Sequence, residues 1–120
     1  MRNPAKLRLI PAAEDLAVDT DLVTAAFPAS ERFGLTTQIR RAAVAIGSNV
    51  VEGSQRHGNR AFLAYLHQGL GSAAELQFQL RIAARLELGT QARVQALIDQ
   101  ANHVQRMTAR LIIALRAKGD

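Results

Sequence analysis

The sequence predicts an all-α protein, an antiparallel up-and-down four-helix bundle. Three observations carry this. Apolar residues recur in alternating steps of four and three, the spacing of a helical seam. Proline and glycine divide the chain into four such stretches joined by short polar connections. Nowhere do apolar and polar residues alternate with the period of two that a half-buried strand requires. At 120 residues the chain makes a single domain over 1–120, with residues 1–11 expected as a short N-terminal extension.

The first helix is expected from Pro11, whose fixed φ suits a first turn, through Ala12, Leu16, Val23 and Phe27 to a stop at Pro28. A second runs from Thr36, an expected N-cap, to Gly53, with Leu35, Ile39, Ala42, Ile46, Asn49 and Gly53 on one line. After the polar loop 53–59, Asn59 is placed to cap a third helix reaching Leu88. Its seam is Phe62, Leu66, Gly69, Ala73, Leu76, Leu80 and Ala83. Gly89 and Thr90 read as helix stop and next N-cap. The fourth helix extends to Ala117 with Val94, Leu97, Ala101, Val104, Thr108, Leu111 and Leu115 on its seam. Seams of this kind suit nearly antiparallel packing, and the long helices should reach roughly 40 Å.

Helices two and three each carry a second apolar stripe opposite the first. On the second helix it is Val44, Gly47 and Val51; on the third it is Ala64, Gly71, Ala74, Phe78 and Ile82. Two neighbouring helices with such stripes predict surface buried beyond the monomer, a homo-oligomer built through helices two and three. The fourth helix turns Asp99, His103, Arg106 and Arg110 outward as an ordinary solvated face.

Cysteine is absent, which excludes disulfides, thiolate metal sites and cysteine nucleophiles. No apolar run has the length of a signal peptide or approaches the ~20 residues of a membrane span, so no membrane partner and a cytoplasmic location are expected. His57, His67 and His103 are far apart, and none stands three residues after Glu52, Glu75 or Glu87 as a di-iron bundle requires. Ser48 and Ser72 have no histidine at helical spacing to serve as a base. Gly69-Leu70-Gly71 falls inside a helix rather than after a strand, so it makes no phosphate cradle. The expectation is a protein that is not an enzyme, with no metal and no cofactor.

Charge gives the functional hint. Fifteen basic residues stand against ten acidic ones, a net charge of +5 with a pI near 11.0, and all the basic residues but Lys6 and Lys118 are arginine. Residues 1–31 are acidic overall, so the surplus falls in residues 32–120. A polar cluster surrounds the second helix, and it has two readings. As a functional surface, Arg40, Arg41, Arg56, His57 and Arg60 form a phosphate-contacting patch for RNA or DNA, salt-sensitive and sequence-tolerant. As structure, Arg40 and Arg41 pair with a neighbouring subunit, where Glu14, Asp15 and Asp21 are the candidate carboxylates. In that reading Glu52 and Arg56 pair four apart, Asn49 is a buried amide fixing register, and the protein is a scaffold or adaptor.

Phe27-Pro28, Glu31-Arg32-Phe33-Gly34-Leu35-Thr36, Gln38, Arg40-Arg41-Ala42 and Ser48-Asn49-Val50-Val51-Glu52-Gly53 stand in order, followed by Arg56, Phe62-Leu63, Gly71-Ser72 and Glu75-Leu76. Together they resemble the bacterial four-helix bundle family named after the protein encoded in 23S rRNA intervening sequences. More distantly, the chain is similar to accessory variability proteins of diversity-generating retroelements. Ala45 stands where that family often has serine, and Val51 where alanine is usual. The resemblance implies an up-and-down bundle and a ring-like homo-oligomer, a pentamer. For partners it implies structured RNA or a reverse transcriptase.

Overall fold

The computed structural model describes residues 4–119. Four helices follow one another: α1 (Pro4–Thr24), α2 (Leu35–Ser54), α3 (Asn59–Arg85) and α4 (Gln91–Lys118), with one 3-10 turn at Ala29–Glu31. No strand occurs among the described residues. α1 and α3 each pack on α2 and α4, while the diagonal pairs do not meet, which is the square section of an up-and-down bundle. The molecule measures 47 × 23 × 19 Å, its long axis set by the length of α3 and α4. The all-α four-helix expectation holds.

The two longest seams are buried residue for residue as their spacing predicts, including every seam position named above on α3 and α4. Gln79 and Ile112 join them. On α2 the buried face is shifted: Ala43 and Val50 are in the core, whereas Leu35 and Asn49 are half-buried. Asn49 makes its side-chain hydrogen bond within its own helix. Its Nδ2 donates to the carbonyl of Ala45 at 2.8 Å, one turn back on its own helix.

α1 departs most from expectation. It begins at Pro4, so residues 4–11 are helical rather than an extension, and Pro11 lies inside the helix. The reason is Leu9, which is completely buried on a line with Ala13, Leu16, Thr20 and Val23. Pro11 removes the donor for the Leu7 carbonyl, but both residues are exposed, so water can take that bond. Thr20 and Thr24 are buried on this helix, and their hydroxyls donate to the Leu16 carbonyl at 2.6 Å and the Thr20 carbonyl at 2.8 Å.

The expected side-chain caps are not made. The cap of α2 falls two residues early, at Gly34, and Thr36 is drawn inside as a buried residue. Asn59 opens α3 but turns its Nδ2 to the Gly119 carbonyl at 2.8 Å, joining the start of α3 to the end of α4. Thr90 does precede α4, without a side-chain hydrogen bond. α3 stops at Arg85, short of Leu88, because Glu87 turns left-handed at φ 57. The Leu88 and Glu87 amides then close on the Ala83 and Ala84 carbonyls as a paired C-terminal motif, and Leu88 is buried against it.

α2 and α3 are tightly packed at Gly53. A Cβ there would lie 2.6 Å from Tyr65 Cβ and 2.9 Å from Phe62 Cδ1. Gly53→Ala is therefore expected to destabilise the chain by about 1–2 kcal/mol, overpacking outweighing the gain in helix propensity. Urea denaturation of the variant against the parent measures it.

A candidate nucleic-acid interface

The antiparallel registers fix the level of each charged side chain along the bundle. Gln77 bonds Gln105 across α3 and α4, and Gln100 Nε2 donates to Asp19 Oδ2 at 3.0 Å across α4 and α1. One half of the bundle thus holds the start of α1, the end of α2, the start of α3 and the end of α4. Among the described residues its basic side chains are Lys6, Arg8, Arg56, Arg60, Arg106, Arg110, Arg116 and Lys118, against Glu52 and, at mid-length of α1, Glu14. The other half carries the remaining described carboxylates and is acidic on balance. The basic surplus is an axial polarity.

The five residues of the expected patch fall at both ends of α2. Arg40 and Arg41 lie near its start, whereas Arg56, His57 and Arg60 surround the α2–α3 loop roughly 24 Å away along the helix. Arg40 is half-buried and engaged within its own chain. Its Nε donates to Thr24 Oγ1 at 2.8 Å and pairs with Asp21 Oδ1 at 3.1 Å, and its Nη2 donates to the Asp21 carbonyl at 3.3 Å. A cation there also meets the negative end of the α1 dipole. The Asp21 named as a partner across subunits is thus the intramolecular one. Arg41 is exposed.

At the basic end, Arg56 Nη2 donates to Glu52 Oε1 at 3.0 Å, the expected pair four apart, and to the Tyr65 hydroxyl at 2.9 Å. Its guanidinium lies 5.2 Å from the Tyr65 ring centroid, covering the one tyrosine of the chain. His57 is exposed in the loop, and Arg60 is exposed on the first turn of α3. Arg116 Nη2 donates to His67 Nε2 at 3.0 Å on the adjoining face. Sequence reasoning left Lys6 and Arg8 outside the fold because it started α1 at Pro11.

The two outer apolar stripes diverge. Val44, Gly47 and Val51 turn toward α1, where they line an open groove of about 460 Å³ with Ile10, Ala13, Glu14, Ala17, Ser48 and Glu52. Gly47 faces Ala13, to which an added Cβ would approach 3.4 Å. Ala64, Gly71, Ala74 and Phe78 are exposed on α3 and Ile82 is half-buried there; none of them lines that groove. Among the described residues no three His, Asp or Glu side chains converge as a metal site would require, and no helix is long and apolar enough to cross a membrane.

Comparison with protein families matches residues 5–110 to the 23S rRNA-intervening sequence protein family. The chain belongs to that family. A crystal structure of a protein of unknown function from the S23 ribosomal protein family of Bacteroides thetaiotaomicron superposes with a TM-score of 0.81 at 20% identity. The match covers 90% of this chain and 97% of that one, which shows a shared fold. No curated protein matches. The region matched to the 23S rRNA-intervening sequence family contains all five residues of the expected patch and both apolar stripes, and stops before Arg116 and Lys118.

Arg40 and Arg41 are neighbours with opposite expectations. Arg40→Ala should lower stability by about 1 kcal/mol through the lost bonds to Thr24 and Asp21. Arg41→Ala should stay within about 0.5 kcal/mol of the parent. Parallel urea melts of the two variants test the contrast.

Proposed function

We propose that this member of the 23S rRNA-intervening sequence protein family is a non-enzymatic, self-associating bundle that binds nucleic acid by its phosphate backbone. The observation that supports it is the basic half of the bundle, where eight described basic side chains stand against Glu52 and Glu14. Arg56, His57 and Arg60 form its loop edge, and Lys6, Arg116 and Lys118 surround them on neighbouring helices. Backbone contacts of this kind are salt-sensitive and carry no sequence readout. The Tyr65 ring is already covered by Arg56, so little aromatic surface is left for stacking unpaired bases. Structured RNA or duplex DNA fits the surface better than a single strand.

Self-association is favoured by two unlike apolar surfaces on one chain. The α1–α2 groove is bordered by Glu14 and Glu52; the α3 stripe with Phe78, 59% exposed, is followed along the helix by Arg81 and Arg85. Contact between a groove and a stripe on different copies is head-to-tail, which closes into a ring when the rotation permits, here a pentamer. Light scattering should give a multiple of the 13.0 kDa chain, and Phe78→Glu should return it to 13.0 kDa. A parent mass of 13.0 kDa at micromolar concentration contradicts assembly.

For nucleic acid, structured RNA and duplex DNA should be retained at ~50 mM salt and released steeply by ~200 mM. Arg56→Ala with Arg60→Ala should lower the slope of log affinity against log salt by about 2, whereas Arg40→Ala with Arg41→Ala should leave it unchanged. Absence of retention at ~50 mM, where phosphate contacts are strongest, sinks the proposal.

A further inference from the structure

A smaller concave site lies on the flank between α1 and α4. It encloses about 220 Å³ and is lined by Ala5 and Arg8 from α1 with His103, Met107 and Arg110 from α4. The three α4 residues are spaced four and three apart, so they form one stripe along the helix. Only the packing of α1 beside that stripe adds Arg8, which is why His103 and Arg110 read from sequence as part of a solvated face. No carboxylate is among the described residues that line the cleft. Among the described residues, neither Arg8 nor Arg110 forms an ion pair, and His103 makes no hydrogen bond. Two arginines and a histidine therefore line one hollow with no countercharge among the described residues of its lining. Both supporting elements are long helices packed into the core, which hold such a constellation more firmly than a loop would.

We propose that this cleft binds a terminal phosphate group, that is, a phosphomonoester. The monoester presents three acceptor oxygens and a charge of about −1.5 to −2 near neutral pH. The cleft offers three donor groups: two guanidinium forks, suited to paired phosphate oxygens, and an imidazole N–H. A backbone phosphodiester, with two free oxygens and a single charge, uses fewer of them. Ala5 and Met107 add apolar surface against which the carbon skeleton bearing the phosphate rests, the flexible thioether adapting to its shape. The phosphate comes from one of two sources: the 5′ end of a nucleic acid or a small phosphorylated molecule. Recognition of the terminal group is the same for both, and it does not depend on backbone binding at the α2–α3 loop.

The test is a titration of the full chain with inorganic phosphate at constant ionic strength, following the ring signals of the three histidines by NMR. Saturable shifts at His103 are expected, larger than those of His57. Removing either arginine in Arg8→Ala or Arg110→Ala should weaken the site about ten-fold or more. Both side chains are exposed, so the fold should be kept, and far-UV circular dichroism checks this. Arg8→Lys retains charge without the fork and should fall between the parent and the alanine variant. The inference is overturned if His103 responds no more than His57, or if folded alanine variants bind phosphate as the parent does. Displacement of phosphate by a 5′-phosphorylated RNA at far lower concentration than by ribose 5-phosphate assigns the source to a nucleic-acid end, and the reverse order assigns it to small phosphomonoesters. Equal displacement by the 5′-hydroxyl RNA overturns recognition of a terminal phosphate. Failure of RNA retention with a persistent His103 response would remove the nucleic-acid proposal alone.

Discussion

The close approach of α2 to α3 governs the arrangement of everything else on this bundle. Gly53 lets the α2 backbone lie against Tyr65 and Phe62, where an added Cβ would stand at 2.6 and 2.9 Å, and further along the pair Gly69 is buried beside the Ile46 carbonyl and Asn49 Cβ. The tight contact at Gly53 and the buried seams of α2 and α3 together set the register. A helix shifted by a residue would bring a side chain into the space the glycine leaves and rotate the seam out of the core. Burial of Leu66, Leu76 and Leu80 and of the α4 seam then follows, because apolar area is removed from water only in that register.

Register is also what converts a diffuse basic sequence into a polar molecule. Once the helices are aligned, Arg56 and Arg60 at the α2–α3 loop sit level with Lys6 at one end of α1 and with Arg116 and Lys118 at the end of α4. Arg40 is committed elsewhere: its guanidinium closes the other end of α1 through Thr24 and Asp21. Fields from like charges gathered at one end reach further than from the same charges scattered, within the screening length of the solution. Membership of the 23S rRNA-intervening sequence protein family and the shared fold of an S23-type relative are consistent with this architecture, and the surface chemistry carries the functional proposal.

The parts of the fold legible beforehand were those where one physical signal acts without interference. α3 and α4 have long uninterrupted seams, and every position on them is buried. α1 was misjudged at its start because Pro11 is a strong local signal for a helix boundary, and burial of Leu9 outweighs it. Thr36 and Asn59 have good cap chemistry, yet one is taken into the core and the other holds the end of α4. Local preferences of about 1 kcal/mol give way where tertiary contacts offer more. The candidate site was less legible. Arg40 through Arg60 are close in sequence, but a straight helix separates neighbours along the chain by its own length.

What the residues determined by themselves was the class of structure: helical period, four segments, and a surplus of arginine. Those are properties of one chain segment at a time, and hydrophobic periodicity reports them directly. Which charges stand together was decided only by tertiary structure, since Arg8 shares a cleft with His103 and Arg110, and Arg40 meets Asp21, across helices whose relative level no single helix encodes. Close packing at Gly53 and burial of the seams of all four helices set that level, and with it the basic end, the α1–α2 groove and the cleft on the α1–α4 flank.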